Sequence, residues 1–182
     1  IIGGGVVGLS IAYSLSKKHN NVLLLEKNDQ LGQEISARNS EVIHSGIYYE
    51  KKSLKSFHCQ RGNKLLYKYC KLRGIPFRKT GKLIVAKKDS SSKLKDLFRN
   101  AKDSGVKDLK YLDQSEILAL EPELDADQAI FSGTSGIIDT HEFIHSLAND
   151  FEKNQGIIMK KTSFVAAEIG DENINVEMKN SD

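Results

Sequence analysis

The alternation of apolar and polar residues predicts a strand, a helix and a second strand within the first 25 residues. Ile1 and Ile2 form an apolar pair that is typical of the end of a buried strand. Apolar residues then recur at helical spacing, at Val7, Ile11, Ala12 and Leu15. The continuous apolar run 22–25 predicts a buried parallel strand, so the chain opens with a β–α–β arrangement.

The remainder of the chain continues this mixture of helices and strands. Apolar spacing predicts helices over 54–72, 89–100, 115–120 and 140–154. Short apolar runs predict strands over 77–87, 129–131, 136–138, 157–159 and 163–169. Gly74 and Pro76 are expected to end the first long helix. The pattern as a whole indicates an α/β protein.

Composition and charge narrow the class of protein. The 182 residues are 39% hydrophobic and 28% charged, and no apolar run reaches the ~18–20 residues of a transmembrane helix. Residues 1–110 carry 23 basic and 9 acidic side chains, whereas residues 111–182 carry 4 and 15. Such a split occurs in proteins that bind nucleic acids or membranes. No nucleic-acid motif accompanies it, so we expect no nucleic-acid partner.

A glycine motif lies between the first strand and the first helix. Gly3, Gly5 and Gly8 fit the pattern G-x-G-x-x-G, and Glu26 ends the second strand. In a dinucleotide site these glycines allow a tight turn, close approach of a pyrophosphate and close packing of the helix. An acid at the position of Glu26 accepts hydrogen bonds from a ribose diol and disfavours the 2′-phosphate of NADP. Both FAD and NAD use such a unit, so the motif alone leaves the two open.

A second motif distinguishes between these cofactors. The stretch R-N-S-x-V-I-H-x-G-I-Y-Y, residues 38–49, resembles the signature of the L-2-hydroxyglutarate dehydrogenase/oxidase family. That family belongs to the D-amino-acid-oxidase-like (DAO) group of FAD enzymes. Further matches follow in the expected order at 74–77, 80–86, 121–124 and 136–139. The resemblance covers essentially the whole chain and implies the N-terminal portion of a longer polypeptide, incomplete at both ends.

The resemblance implies a domain organisation and a set of cofactor contacts. The fold is expected to be α/β, with a Rossmann-like FAD-binding domain at 1–74 and 140–182 and an interleaved, incomplete α+β substrate domain at 75–139. The residues expected to contact FAD are Gly3, Gly5, Val7, Gly8, Glu26, Lys27, Ser36, Arg38, Asn39, Ser40, His44 and Val165. Val165 would contact the adenine side through its backbone.

His44 is the candidate catalytic residue because the resemblance places it near the flavin ring, where it would orient the flavin or polarise the substrate. A structural histidine in a polar loop is the alternative. We expect no metal site, since His141 and His145 have helical spacing but lack a third ligand. The catalytic base is not identified within these residues.

The implied function is FAD-dependent oxidation of a 2-hydroxy acid. The expected reaction converts L-2-hydroxyglutarate to 2-oxoglutarate by hydride transfer to flavin N5, with a quinone or oxygen as the electron acceptor. Two alternatives stay open: an amine or amino-acid oxidase of the same group, and a truncated, catalytically silent FAD-binding remnant. We expect a cytoplasmic protein, with peripheral contact at the inner membrane if the acceptor is a quinone.

Overall fold

Short polar side chains and one glycine set the ends of the helices. In this computed structural model, which describes residues 1–181, the Ser53 Oγ accepts a hydrogen bond from the amide of Ser56 at the start of the second helix. That helix ends at Gly74, whose φ of 69° is the left-handed conformation that glycine adopts without strain. Asp139 caps the last helix by accepting from the amide of Glu142. The helices are α1 Val6–Ser16, α2 Leu54–Arg73, α3 Ser91–Asp103, α4 Gln114–Leu120 and α5 Thr140–Lys153.

Within residues 1–181 the strands form four small sheets. Their bounds are β1 Leu23–Leu25, β2 Val42–Ile43, β3 Phe77–Arg78, β4 Leu83–Ala86, β5 Leu109–Asp113, β6 Gln128–Ser132, β7 Gly136–Ile138, β8 Ile157–Met159, β9 Thr162–Ile169 and β10 Ile174–Asn180. The strand orders are β1-β8, β10-β9, β2-β7-β3 and β4-β6-β5. Among the named strands of residues 1–181, β1 and β8 pair in parallel, and the other strand pairs are antiparallel. The sequence does not predict β2, β5 or β10, and the strand expected over 77–87 is divided into β3 and β4.

Contacts divide the chain into two compact units. The first unit comprises residues 1–40 together with those from 139 onward, and the second comprises residues 41–138. The sequence-based boundary at 74/75 differs from this division because β2 pairs with β7, which ties the segment after residue 40 to the second unit. The naming of the two parts as FAD-binding and substrate domains stays a prediction.

The first unit surrounds a parallel pair of strands. Leu24 on β1 lies opposite Ile158 on β8, and Ile2 forms a parallel bridge with Leu25. Helices α1 and α5 pack against each other, and their buried side chains include Leu9 and Phe151. This packing holds the start of α1 next to the end of β1.

Apolar clusters form the core of the second unit. Leu112, Ile117, Ala126 and Ala129 form one of them, between α4 and the β4-β6-β5 sheet. Ile47 joins Ala101 and Val106 in the other. Together these elements confirm the α/β class. None of the helices within residues 1–181 is long and apolar enough to cross a membrane.

Candidate functional site

The turn between Ile2 and α1 is built from glycine backbone. Gly3 has a φ of +95°, a conformation that residues with a side chain rarely adopt, and its amide donates to the Leu25 carbonyl at 2.8 Å. A Cβ at Gly8 would lie 1.9 Å from the Gly3 carbonyl oxygen. The turn and the first helical turn therefore approach each other as closely as two backbones can.

Gly4 is a further requirement of this turn that the sequence motif did not identify. A Cβ at Gly4 would lie 2.5 Å from the Leu31 Cδ2 and 3.1 Å from the Glu26 Oε2. The third consecutive glycine in the run 3–5 was the available signal, since G-x-G-x-x-G leaves that position unspecified. All the backbone from 3 to 5 is thereby free of side chains.

Glu26 holds the turn against the end of β1. Its side chain is buried, and its Oε2 accepts from the Gly4 amide at 2.7 Å while its Oε1 accepts from the Asn28 amide at 2.8 Å. An ionised carboxylate has about four acceptor positions, so two backbone bonds leave capacity for the hydroxyls of a ribose. Glu26 thus has a structural role that its position after the strand did not by itself disclose.

Ser36, in the polar loop that precedes β2, contacts the start of α1. Its Oγ accepts from the Val6 amide at 3.0 Å, which satisfies one of the donors that the start of a helix leaves without an intrahelical partner. Gly5, the residue before α1, has no side chain that could take this place. The Asn39 side chain donates to the Ser36 carbonyl at 2.7 Å and holds the short 3-10 turn Ile35–Ala37 in shape.

Four further predicted cofactor contacts belong to the first unit. Arg38, Ser40 and Val7 are exposed, and Lys27 forms a 2.9 Å ion pair with Glu34. That pair raises the pKa of Lys27 and lowers the pKa of Glu34, in both cases chiefly through their mutual hydrogen bond.

Val165 is half exposed on β9. This strand starts at Thr162, whose amide donates to the Glu26 carbonyl at 2.9 Å. β9 therefore begins beside the same end of β1 at which Glu26 lies.

His44 belongs to the second unit. Its carbonyl accepts from the Asn63 side chain at 3.0 Å and from the Cys59 thiol at 3.6 Å. Burial lowers the pKa of the imidazole, and the nearby charge of Lys82 lowers it further. A lowered pKa favours the neutral ring, which has one nitrogen that can accept a hydrogen bond.

A strand, a side-chain-free turn, a helix start and a buried acid at the end of the next strand define a dinucleotide-binding protein. A Cβ at Gly5 would lie only 3.0 Å from the Ser36 Oγ, so the glycine keeps the backbone at the helix start uncovered, as the approach of a phosphate needs. Among residues 1–181, no three His, Cys, Asp or Glu side chains lie close enough to hold a metal ion.

The DAO family, described as "FAD dependent oxidoreductase", matches residues 1–181, and the chain belongs to it. The expectation of FAD as the cofactor is confirmed by this family. The chain is 46% identical over 148 residues to the mitochondrial L-2-hydroxyglutarate dehydrogenase of Arabidopsis thaliana, which is 81% of this chain and 31% of that protein. It is 38% identical over 162 residues to the Homo sapiens protein of the same name, covering 87% of this chain and 35% of that protein. The chain thus spans about a third of the length of these relatives.

Solved structures support the same fold. L-alpha-glycerophosphate oxidase from Mycoplasma pneumoniae, solved with FAD bound, superimposes with a TM-score of 0.92 and 30% identity, covering 99% of this chain and 49% of that chain. Glycine oxidase from Geobacillus kaustophilus has a TM-score of 0.87, with 97% of this chain and 50% of that chain covered. At 18% identity, that second similarity shows the fold alone.

Proposed function

We propose that this chain is part of an FAD-dependent oxidoreductase that converts L-2-hydroxyglutarate to 2-oxoglutarate. The observation that carries the proposal is the extent of similarity to L-2-hydroxyglutarate dehydrogenases, at 46% identity over 81% of the chain. The geometry of the glycine turn supports the cofactor half of the proposal, because its open backbone suits a pyrophosphate.

The first unit would bind the nucleotide part of FAD. Gly3, Gly5 and Gly8 would let the pyrophosphate approach the start of α1, where backbone amides and the helix dipole favour an anion. Glu26 would accept from the ribose hydroxyls with the carboxylate positions that Gly4 and Asn28 do not use. The remaining contacts would come from Val7, Lys27, Ser36, Arg38, Asn39, Ser40 and Val165.

His44 would act toward the flavin ring and the substrate. Bound FAD would supply the redox chemistry, with N5 as the acceptor of a hydride from the substrate Cα and a quinone or oxygen as the final electron acceptor. In its neutral form, His44 would accept a hydrogen bond from the substrate hydroxyl and orient it. The base that takes the hydroxyl proton is left unassigned among these residues.

The substrate class is tested by the compound that bleaches the flavin. FAD-loaded protein is mixed without oxygen with L-2-hydroxyglutarate, and separately with glycine or sarcosine, while the flavin absorbance is recorded. Bleaching by L-2-hydroxyglutarate alone is expected. Bleaching by the amines instead would establish the amine-oxidase alternative, and a chain that stays colourless with FAD would favour the catalytically silent remnant.

The outward face of α2 would contact an anionic membrane, where a quinone acceptor would be accessible. Ser56 and Cys70 are buried on the packed face of this helix, whereas the opposite face exposes large apolar side chains by 54% to 75%, at Leu54, Phe57, Leu65 and Leu72. The exposed Arg61, Lys64 and Lys68 lie among them, and residues 51–88 contain no acidic side chain. A helix face that combines apolar and basic residues suits the surface of an anionic bilayer.

Vesicle sedimentation tests this contact. The protein is expected to sediment with vesicles that contain phosphatidylglycerol and to stay in solution with phosphatidylcholine alone. Replacing Leu54 and Phe57 together by serine should abolish sedimentation. The control variant Leu118→Ser, which replaces an exposed leucine on α4, should sediment like the unmodified protein. Equal sedimentation of the two variants would reject the α2 face as the contact.

A further inference from the structure

A small cleft in the second unit brings two basic side chains together. His44 and Lys82 line it with Tyr48 and Tyr49. These residues come from two separate parts of the sequence, the loop after β2 and the start of β4. Lys82 is the residue of interest because neither the cofactor motif nor the catalytic candidate involves it.

Buried serines fix the floor of the cleft. The Ser135 Oγ donates to the Ser132 Oγ at 3.1 Å, and the Ser132 Oγ donates to the Ser45 Oγ at 2.9 Å. All three side chains are at most 5% exposed. This chain of hydroxyls joins the residue that follows His44 to the turn between β6 and β7.

The same turn positions Lys82. Its amide donates to the Ser132 carbonyl at 3.1 Å, and its carbonyl accepts from the Ser132 amide at 2.9 Å. Asn63 donates both to the His44 carbonyl and to the Thr134 carbonyl, each at 3.0 Å. The backbones of His44 and Lys82 are therefore both linked by hydrogen bonds to the segment 132–134, directly for Lys82 and through Asn63 for His44.

The positive charge in this cleft is not balanced. Lys82 is half buried, with its Nζ 5.2 Å from the centre of the Tyr48 ring, and within the part of the chain that the structure describes no ion pair joins it to a carboxylate. Lys79, three residues earlier, is exposed like most lysines of this basic stretch. The charge of Lys82 also contributes to the lowered pKa of His44. A bound anion would relieve both effects.

We propose that this cleft is a subsite for one carboxylate group of the substrate, with the Lys82 ammonium as its hydrogen-bond donor. The proposal rests on the proposed function, and it makes Lys82 a specificity-determining residue for a 2-hydroxy dicarboxylic acid. A half-buried ammonium binds a carboxylate through charge-assisted hydrogen bonds. The cleft has a volume of about 10 Å³, enough for one carboxylate oxygen beside the Lys82 ammonium, so the other atoms of the substrate lie outside it.

The test is a binding titration followed by NMR of the 182-residue chain. L-2-hydroxyglutarate and glutarate, which lacks the hydroxyl, are added separately while the ring signals of His44 are recorded. Saturable shifts are expected with both compounds, because both contain the carboxylates. Lys82→Gln should weaken binding by about tenfold or more, Lys79→Gln should change it less than about twofold, and Lys82→Arg should retain most of it.

A second measurement does not depend on any variant. Bound dicarboxylate should raise the pKa of His44 in the unmodified protein, because it offsets the charge of Lys82. The pKa of the Cys59 thiol, which contacts the His44 carbonyl, is raised by burial and should not change. Binding that leaves the His44 signals and pKa unchanged would overturn the proposal. So would equal affinities of the Lys82→Gln and Lys79→Gln proteins.

The failure of this proposal can be told apart from failure of the proposed function. If L-2-hydroxyglutarate reduces the flavin of the unmodified and Lys82→Gln proteins at the same half-saturating concentration, the function stands and the subsite is wrong. If Lys82 is required to bind glutarate but L-2-hydroxyglutarate does not reduce the flavin, the carboxylate subsite stands and the proposed substrate is wrong.

Discussion

A methyl group added at Gly8 should damage the glycine turn, whereas the same change at Gly62 should not. In Gly8→Ala the new Cβ would lie 1.9 Å from the Gly3 carbonyl oxygen. That oxygen belongs to a turn with a left-handed φ, whose amide is bonded to Leu25. At Gly62, in the middle of α2, no atom beyond the backbone of its own helix lies within 4 Å of the position that the added methyl would take. The two substitutions are chemically identical and differ only in their surroundings.

The expected changes in the free energy of unfolding have opposite signs for Gly8→Ala and Gly62→Ala. Alanine in a helix is favoured over glycine by about 1 kcal/mol, and this gain applies at both positions. At Gly8 the backbone must move by more than about 1 Å to restore van der Waals contact, a strain that costs about 1–3 kcal/mol or more, and loss of the Gly3–Leu25 hydrogen bond would add about 1 kcal/mol. The net prediction is destabilisation by about 1–3 kcal/mol for Gly8→Ala and stabilisation by about 0.5–1 kcal/mol for Gly62→Ala.

Thermal melting and FAD titration measure the two consequences. A change of 1 kcal/mol shifts the Tm of a chain of this size by about 2–4 °C, so Gly8→Ala should melt several degrees lower and Gly62→Ala slightly higher than the unmodified protein. Gly8→Ala should also bind FAD more weakly, whereas Gly62→Ala should bind it normally. If Gly8→Ala matches Gly62→Ala in both assays, the close approach of the two backbones at Gly8 is wrong.

Three further substitutions test individual groups of the two units. Ser36→Ala removes the acceptor at the start of α1 and should lower the free energy of unfolding by about 0.5–2 kcal/mol in urea titrations, whereas Ser40→Ala should change it by less than about 0.5 kcal/mol. Glu26→Gln leaves one backbone amide facing an NH2 group, so it should lower the free energy of unfolding by about 1–3 kcal/mol and weaken FAD binding measured by flavin fluorescence. Unchanged values would contradict the role of Glu26 in holding the glycine turn. Lys82→Gln should raise the pKa of His44 in an NMR titration but leave it below 6.5, because burial is the larger cause. The lowered pKa means that the unfolded chain binds more protons than the folded one, so stability should fall as the pH drops through the window that begins near 6.5.

The sequence predicts the parts of the fold that depend on local pattern. Gly74 and Pro76 predict the end of α2 at Arg73, because a glycine cap acts through its immediate neighbours in the chain. The positive φ of Gly3 and the close approach at Gly8 agree with the physical reasons inferred for those glycines. The family resemblance of residues 38–49 anticipated both the FAD-dependent family and the named relatives.

Contacts between distant residues could not be predicted in this way. The hydrogen bond between Ser132 and Ser45 joins residues 87 positions apart, and no local spacing signals it. The sequence does not distinguish Lys82 from the other lysines between residues 51 and 88, whereas its partial burial and its neighbours do. The two-residue strand β2 carries almost no periodic signal, yet its pairing with β7 places residues 41–74 in the second unit.

A single-turnover count of product tests the central claim most directly. FAD-loaded protein is mixed without oxygen with excess L-2-hydroxyglutarate, and the 2-oxoglutarate formed is measured against the flavin reduced. Oxidation of the hydroxyl group releases two electrons, so one 2-oxoglutarate is expected for each flavin bleached. Flavin that remains oxidised, or flavin that is bleached without formation of 2-oxoglutarate, would contradict it.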